Sequence, residues 1–209
     1  NLEEVHTRQV ALAVNNKYET EVWYGTGDAT SAGSTSFHGV LASGYDAVDG
    51  LNEDGTRAFG TFQHFVNSAA SLNLNETITE CIDSINDRDD IDAKFFMNKK
   101  SFSQLKATIK AESATGGFKV LDINHSNGVW TIEGYPVVFS EQFRAFDFGT
   151  DNFLCVFGDI ANAYKQYIHP SSILRNEFSV DGATKVLNRE RRSGLLKDSN
   201  ALKMIVMAA

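Results

Sequence analysis

At Gly116-Gly117 the spacing of apolar residues changes from the period of a helix, about 3.6 residues, to the alternation of a strand. That change excludes an all-helical and an all-strand fold. Upstream of it, Leu74, Ile78, Ile82 and Ile85 fall at i, i+4, i+8 and i+11, which predicts a helix between Asn73 and Asn86. Asn73 or Asn75 serves as N-cap, and Glu76 lies in the first turn, where a carboxylate complements the helix dipole. The acidic run Asp87-Arg88-Asp89-Asp90-Ile91-Asp92 ends this helix, and Ala93 to Met97 reads as a short buried strand. Asn98 or Ser101 then caps another helix: Ser101-x-x-Gln104 has capping-box spacing, and Phe102, Leu105 and Ile109 continue an apolar stripe up to the glycine pair. The N-terminal segment, Asn1 to Tyr24, has no Gly or Pro and sets Leu2, Val5, Leu12 and Ala13 on one side. It predicts a helix of about six turns that stops at Gly25. Residues 26–36 are small and polar and read as a loop. Apolar character returns at Phe37 to Leu41, and Gly44 to Gly60 reads as irregular, with a tight turn at Asp54-Gly55.

Downstream, Phe118 to Ile123 and Val129 to Ile132 flank Asn127-Gly128, a pair that tolerates the positive φ of a type I′ turn and so predicts a β-hairpin. Pro136 to Phe139 and Phe153 to Phe157 are dense apolar runs suited to strands covered on both faces. Gly158-Asp159 turns the chain. Tyr164 to Ile168 reads as a strand, Ser171 to Ser179 pairs with Ala183 to Arg192 across Asp181-Gly182 in a long polar hairpin, and Ala201 to Met207 is a final strand. The fold class is α+β. There is no internal repeat, and two prolines leave no Pro-rich linker between independent domains.

Charge and chemistry narrow the function. Nineteen basic against 27 acidic residues give a net −8 and a pI near 5.1, which disfavours a chain that grips phosphate backbones. No stretch approaches the roughly 18 apolar residues of a spanning helix, so no membrane partner is expected. Cys81 and Cys155 form no CxxC pair, and Cys155 in its apolar strand reads as a buried, inert thiol. His6, His38, His64, His125 and His169 lack metal-ligand spacing, and there is no GxSxG. Gly25-x-Gly27 follows a helix and lacks Gly-Lys-Ser/Thr, so a surface loop is the reading there. Asp83, Asp87, Asp89, Asp90 and Asp92 lack the glycine and distal Glu of a calcium loop and read as a solvated helix end. Asn75-Glu76-Thr77 matches a glycosylation sequon but has no secretion signal to give it meaning. Arg189-Glu190-Arg191-Arg192 is the one dense basic segment. Strand alternation divides it between two faces, which favours salt bridges with a partner surface. No cofactor and no catalytic or metal site is expected, and the role is structural.

Several segments in order resemble one family. They are Phe95-Phe96-Met97-Asn98 followed by the helix with Phe102 and Leu105, then Gly134-Tyr135-Pro136-Val137-Val138, then Val156-Phe157-Gly158-Asp159 with Ala163-Tyr164. Glu21-Val22-Trp23-Tyr24-Gly25-Thr26-Gly27 is similar to the end of a long spine helix and its loop. Together they resemble the major capsid proteins of tailed bacteriophages and prophages, the Hong Kong 97-type fold. The resemblance implies a peripheral domain with a spine helix and a long β-hairpin, and an axial domain whose loops gather at five-fold and six-fold axes. On this chain residues 1–67 would hold the spine helix and first part of the peripheral domain, 68–167 the axial domain, 168–185 the peripheral hairpin, and 186–209 strands returning through the axial to the peripheral domain.

The implied contacts between subunits are Gly116, Gly117 and Phe118 near a capsomer axis, and Phe178, Asp181, Gly182, Arg189 and Arg191 on the hairpin. The implied partners are copies of the chain in pentamers and hexamers, with scaffold, maturation protease and portal. DNA is enclosed without sequence-specific binding, in a virion assembled in the host bacterial cytoplasm. Relative to the family pattern the chain starts after the N-terminal arm and the lapping loop, so monomers or small oligomers are expected of it. With Asp181 or Gly182 about where a crosslink acceptor would stand, no crosslinking site is expected. The alternatives are an encapsulin-like compartment shell with the same fold, and a metal-dependent hydrolase built on Asp87 to Asp92.

Overall fold

The computed structural model describes residues 2–25, 39–40, 63–68, 74–85, 90–116, 121–143, 152–176 and 185–208. In chain order the elements are α1 (Leu2–Tyr24), β1 (Gln63–Ser68), α2 (Leu74–Asp83), β2 (Lys94–Met97), α3 (Lys99–Gly116), β3 (Ile123–Ser126), β4 (Val129–Ile132), β5 (Tyr135–Phe139), β6 (Asn152–Gly158), α4 (Ile160–Ala163), β7 (Tyr164–Asn176), β8 (Lys185–Leu196), a 3-10 turn (Ser199–Ala201) and β9 (Leu202–Ala208). The fold is mixed helix and sheet, as the period change requires. The loop at 26–36, Asp54-Gly55, Asp87, Asp89 and the tip of the long hairpin lie outside the described residues.

Seven strands form one mixed sheet in the order β1-β9-β6-β2-β5-β4-β3. β1 with β9 and β2 with β5 run parallel, and the remaining pairs are antiparallel. Alternation along the central strands divides the core in two. Phe95, Met97, Cys155, Phe157 and Ile205 face α2 and α3, meeting Leu74, Ile78, Cys81, Phe102, Leu105 and Ile109. Phe96, Val156 and Met204 face the other way, toward Trp23, Val40, Phe143 and Tyr164. A bulge in β6 between Phe153 and Cys155 interrupts this alternation, so that Leu154 and Cys155 both serve the α2–α3 side.

Local chemistry sets the element ends. Asn98 Oδ1 accepts a hydrogen bond from the Lys100 amide at 2.9 Å, so Asn98 caps α3. Ser101, the other candidate cap, is instead buried inside the helix. Asn75 does not cap α2 either: it is buried, and its Oδ1 accepts from the Leu121 amide at 3.1 Å. Asn127 and Gly128 hold φ of 52° and 80°, the left-handed values the β3–β4 turn needs. A second such turn at Glu133-Gly134, φ 48° and 89°, joins β4 to β5.

Three further expectations need correction. β3 covers Ile123–Ser126, with 121–122 outside it, and the expected strand residues 118–120 lie outside the described residues. β5 is covered on one face only, since Val138 is 39% exposed, because no described element packs on its outer side; β6, between β2 and β9, meets the expectation. The strands expected at Tyr164 to Ile168 and Ser171 to Ser179 are joined, as far as residue 176, in one strand of 13 residues, β7, with a register irregularity between His169 and Ser172 that spans Pro170; residues 177–179 lie outside the described residues. Proline is tolerated there because the bulge releases it from the ladder.

Candidate functional site

The feature that stands apart from the core is the β7–β8 arm. Its strands of 13 and 12 residues form a separate two-stranded sheet, about 40 Å long at the usual rise per residue. Its root is braced. Asp159 Oδ1 accepts from the Ala161 amide at 2.9 Å and the Asn162 amide at 3.3 Å, starting α4 just before β7. The Lys197 amide, just after β8, donates to the Ala163 carbonyl at 2.7 Å, which closes the two legs together. Tyr164 is buried in the core at the first position of β7. Beyond it Tyr167, Ile168 and Leu195 are 46%, 59% and 51% exposed. Large apolar side chains on a ribbon that no described element covers make a surface suited to a partner.

The second such surface is α1. Its C-terminal end is locked: Trp23 is 4% exposed, with Phe143 edge-on at 5.2 Å and Phe96 tilted at 5.7 Å. Val22 carbonyl and Gly25 carbonyl accept from the Val40 and Gly39 amides at 2.6 and 2.7 Å. Gly39 is tight enough here that an added Cβ would sit 2.6 Å from the Glu21 carbonyl oxygen and from the Gly25 nitrogen. Toward the N-terminus Val5 and Leu12 are 55% and 54% exposed. These two belong to the apolar side identified from spacing, and Trp23 continues it five turns on. The stripe is buried only at its end.

The sequence-derived contact residues fall as follows. Gly116 closes α3; Gly117, Phe118, Phe178, Asp181 and Gly182 lie outside the described residues; Arg189 and Arg191 lie on β8, opposite Ser172 and His169. Sequence reasoning did not single out Tyr167 and Leu195, whose exposure at the root of the arm follows from register.

Other chemistry is spoken for. Tyr135 donates a hydrogen bond to Asp90 Oδ1, and this bond, with burial and the charges of Asp90 and Asp83 behind it, pushes the phenol up to about 12. Cys81 and Cys155 are free and fully buried, and burial pushes both thiols up. His125 lies tilted against Trp130 with ring centres 4.6 Å apart, and Lys106 Nζ lies 4.3 Å from the centre of the same indole and 4.9 Å from that of Phe102. Among the described residues no group of three or more His, Cys, Asp or Glu side chains is placed to hold a metal ion, and no helix is long and apolar enough to cross a membrane.

Comparisons with known proteins bear on the whole chain. A family model described as the phage capsid family matches residues 1–207. No curated protein matches the sequence. Among solved structures, the capsid of an empty GTA particle superposes with a TM-score of 0.66 at 19% identity, covering 99% of this chain and 66% of that one. The procapsid of satellite phage P4 with its size determination protein gives 0.55 at 14% identity, over 97% and 62%. The holo-SrpI encapsulin complex from Synechococcus elongatus PCC 7942 gives 0.55 at 12%, over 95% and 63%. At these identities the likeness is one of fold, the Hong Kong 97-type fold, and the chain spans about two thirds of the length of these neighbours.

Proposed function

The chain belongs to the phage capsid family, and from that premise we propose that it is a structural subunit of a tailed-phage or prophage capsid, which associates with copies of itself into an icosahedral shell around DNA. The observation that carries this reading is the arm. A two-stranded ribbon of this length is marginal alone in water, yet here it is braced at its root and leaves Tyr167, Ile168 and Leu195 uncovered. A neighbouring subunit supplies the missing layer. The exposed stripe of α1 offers a second surface of the same kind.

In this reading α1 and the arm belong to the peripheral part, and the region 68–167 to the axial part, with Gly116, Gly117 and Phe118 toward a capsomer axis. Phe178, Asp181 and Gly182 at the arm's end meet neighbouring subunits, as do Arg189 and Arg191 along it. The mechanism is association: each contact is weak, and repetition by symmetry closes pentamers, hexamers and the shell. A net −8 suits a container whose DNA stays loosely held. Scaffold, portal and maturation protease are the expected partners, and the neighbour solved with a size determination protein supports partners of the assembly-directing kind. The place of work is the virion, after assembly in the host cytoplasm.

The encapsulin neighbour keeps a second reading, a compartment shell around cargo. The family match favours the phage reading, and genes for terminase and portal beside this one would decide for it, whereas a cargo-enzyme gene would decide against. The direct test is negative-stain microscopy of the full gene product, expressed alone and with its protease. Closed shells are expected; particles no larger than a dimer at every concentration would overturn the proposal.

A further inference from the structure

The arm differs in charge from the rest of the chain. β7 and β8 carry six cations, Lys165, Arg175, Lys185, Arg189, Arg191 and Arg192, against one carboxylate, Glu190. That is a net +5 in a chain whose total is −8, so everything outside the two strands carries −13. Register sorts these charges further. Strand alternation on β8 puts positions 185, 187, 189, 191, 193 and 195 on one face, and their partners are Asn176, Leu174, Ser172, His169, Tyr167 and Lys165. This face holds Lys165, Lys185, Arg189 and Arg191, with His169, and no carboxylate. The opposite face holds Arg175, Arg192 and Glu190.

The cationic face is also the outward one at the root of the arm. Lys165, Tyr167, Ser193 and Leu195 on it are exposed from the first pair outward, whereas on the other face Tyr164 is buried in the core and exposure begins at Ile168, 59% exposed. Lys165 Nζ lies 5.0 Å from the centre of the Tyr167 ring, so cation and aromatic surface are combined. The bulge between His169 and Ser172 preserves this sorting, because the extra residue is on β7 and the arginine-bearing strand alternates without interruption.

We infer that the face of the arm bearing Lys165, Lys185, Arg189 and Arg191 docks on an acidic surface of a second copy of this chain. The inference rests on the shell-subunit reading and names the chemistry of its contact. Charge complementarity selects the occupant: the two strands are +5, the arm with its tip, which adds Glu177 and Asp181, is still +3, and the remainder is −11, so each copy carries both halves of the contact. Exposed carboxylates in series, such as Glu76, Glu80 and Asp83 at i, i+4 and i+7 along one side of α2, are the kind of surface the ribbon fits. DNA is the weaker candidate, because the acidic remainder repels a phosphate backbone brought near it. Arm and acidic surface are different patches, so a heterologous contact between them can extend beyond a dimer and forms a ring where the rotation closes.

The test uses the full gene product and its charge variants in sedimentation and light scattering. Self-association of the wild type is expected to weaken about tenfold or more between about 0.05 M and 0.5 M NaCl, since exposed charges are screened over that range. Arg189→Glu with Arg191→Glu should reduce association at low salt at least as much while leaving circular dichroism unchanged, and Lys165→Glu at the braced root should act in the same direction. Arg175→Glu with Arg192→Glu, on the other face, should have the smaller effect. Association that ignores salt, or that survives the first pair of reversals, would overturn the inference and leave the shell reading standing. A wild type that never self-associates would overturn both. A double-stranded DNA fragment bound by the wild type but not by the Arg189, Arg191 variant, with self-association intact, would assign the arm to DNA and overturn it as well.

Discussion

Ser140 Oγ donates a hydrogen bond to Glu19 Oε1 at 2.5 Å, joining α1 to the segment after β5 across 121 residues of sequence. One turn of helix away from that contact, Trp23 packs against Phe143, whose amide donates to the same Ser140 hydroxyl at 3.2 Å. The Phe143 carbonyl accepts from Asn98 Nδ2 at 2.7 Å, and Asn98 caps α3. Thr20 Oγ1 adds a bond to Gln142 Oε1 at 3.0 Å. The end of α1, the exit of β5 and the start of α3 are therefore one knot, from which the rest of α1 extends with Val5, Val10 and Leu12 exposed.

Trp23→Ala should cost about 3–5 kcal/mol in urea unfolding, the usual loss for deleting a buried tryptophan side chain. Leu12→Ala, at 54% exposure on the same stripe, should change the monomer by no more than about 0.5 kcal/mol. Equal costs would mean that the outer part of α1 is covered in the monomer.

Two glycines separate backbone strain from lack of space. Gly128 holds φ +80° with nothing within 4 Å of an added Cβ, so Gly128→Ala should cost only the left-handed penalty, about 1–2 kcal/mol. Gly158 holds φ +134°, and its Cβ would strike the Ala201 carbonyl oxygen and lie 3.1 Å from Leu202 Cα. Gly158→Ala should therefore add overpacking to strain and cost about 3 kcal/mol or more. Matched thermal melts of the two variants check the order; equal shifts would refute the account of Gly158.

The contrast between these glycines shows where sequence reading succeeds. Asn127-Gly128 was legible because a type I′ turn is a local demand, and the stripe from Leu74 to Ile85 was legible because one helix face is a local pattern. Tertiary features were not. β1, Gln63–Ser68, has only Phe65 and Val66 as apolar residues and exists as a strand because β9 offers it a parallel edge. α4, four residues long, depends on the Asp159 side chain. The continuity of β7 was hidden by Pro170. Arg189 and Arg191 were legible as a basic run, but Lys165 and Lys185 join their face only through cross-strand register.

Tyr135 titration should depend on Asp90. Its phenol is raised to about 12, first by the hydrogen bond to Asp90, then by burial, then by the charges of Asp90 and Asp83. A raised value means the folded state holds the proton more tightly than the unfolded chain, so this contribution is complete below the unfolded value of 10.0 and is lost as pH rises through about 12. In Asp90→Asn the tyrosinate signal of Tyr135 should move down, while Tyr164, raised to about 12 by burial alone, stays where it is. An ultraviolet titration with Tyr135→Phe as the assignment control reads both. No movement in Asp90→Asn would remove the Tyr135–Asp90 contact from the solution structure.

The two thiols should be silent in the folded protein. Cys81 lies on α2 and Cys155 on β6, both fully buried in the core cluster between helices and sheet. Burial raises both; for Cys81 the charge of Lys203 acts the other way, and for Cys155 the Cys81 charge adds to the rise. Near pH 8 neither forms the thiolate that attacks a disulfide reagent. A chromogenic disulfide reagent should thus count no thiol in the native chain and both cysteines after denaturation. Cys155→Ser should cost about 1–3 kcal/mol, because the hydroxyl loses its water and enters an apolar cluster, and Cys155→Ala should cost less. A thiol that reacts before unfolding would show that α2 lifts from β6, since reagent and thiolate both need water that this cluster excludes.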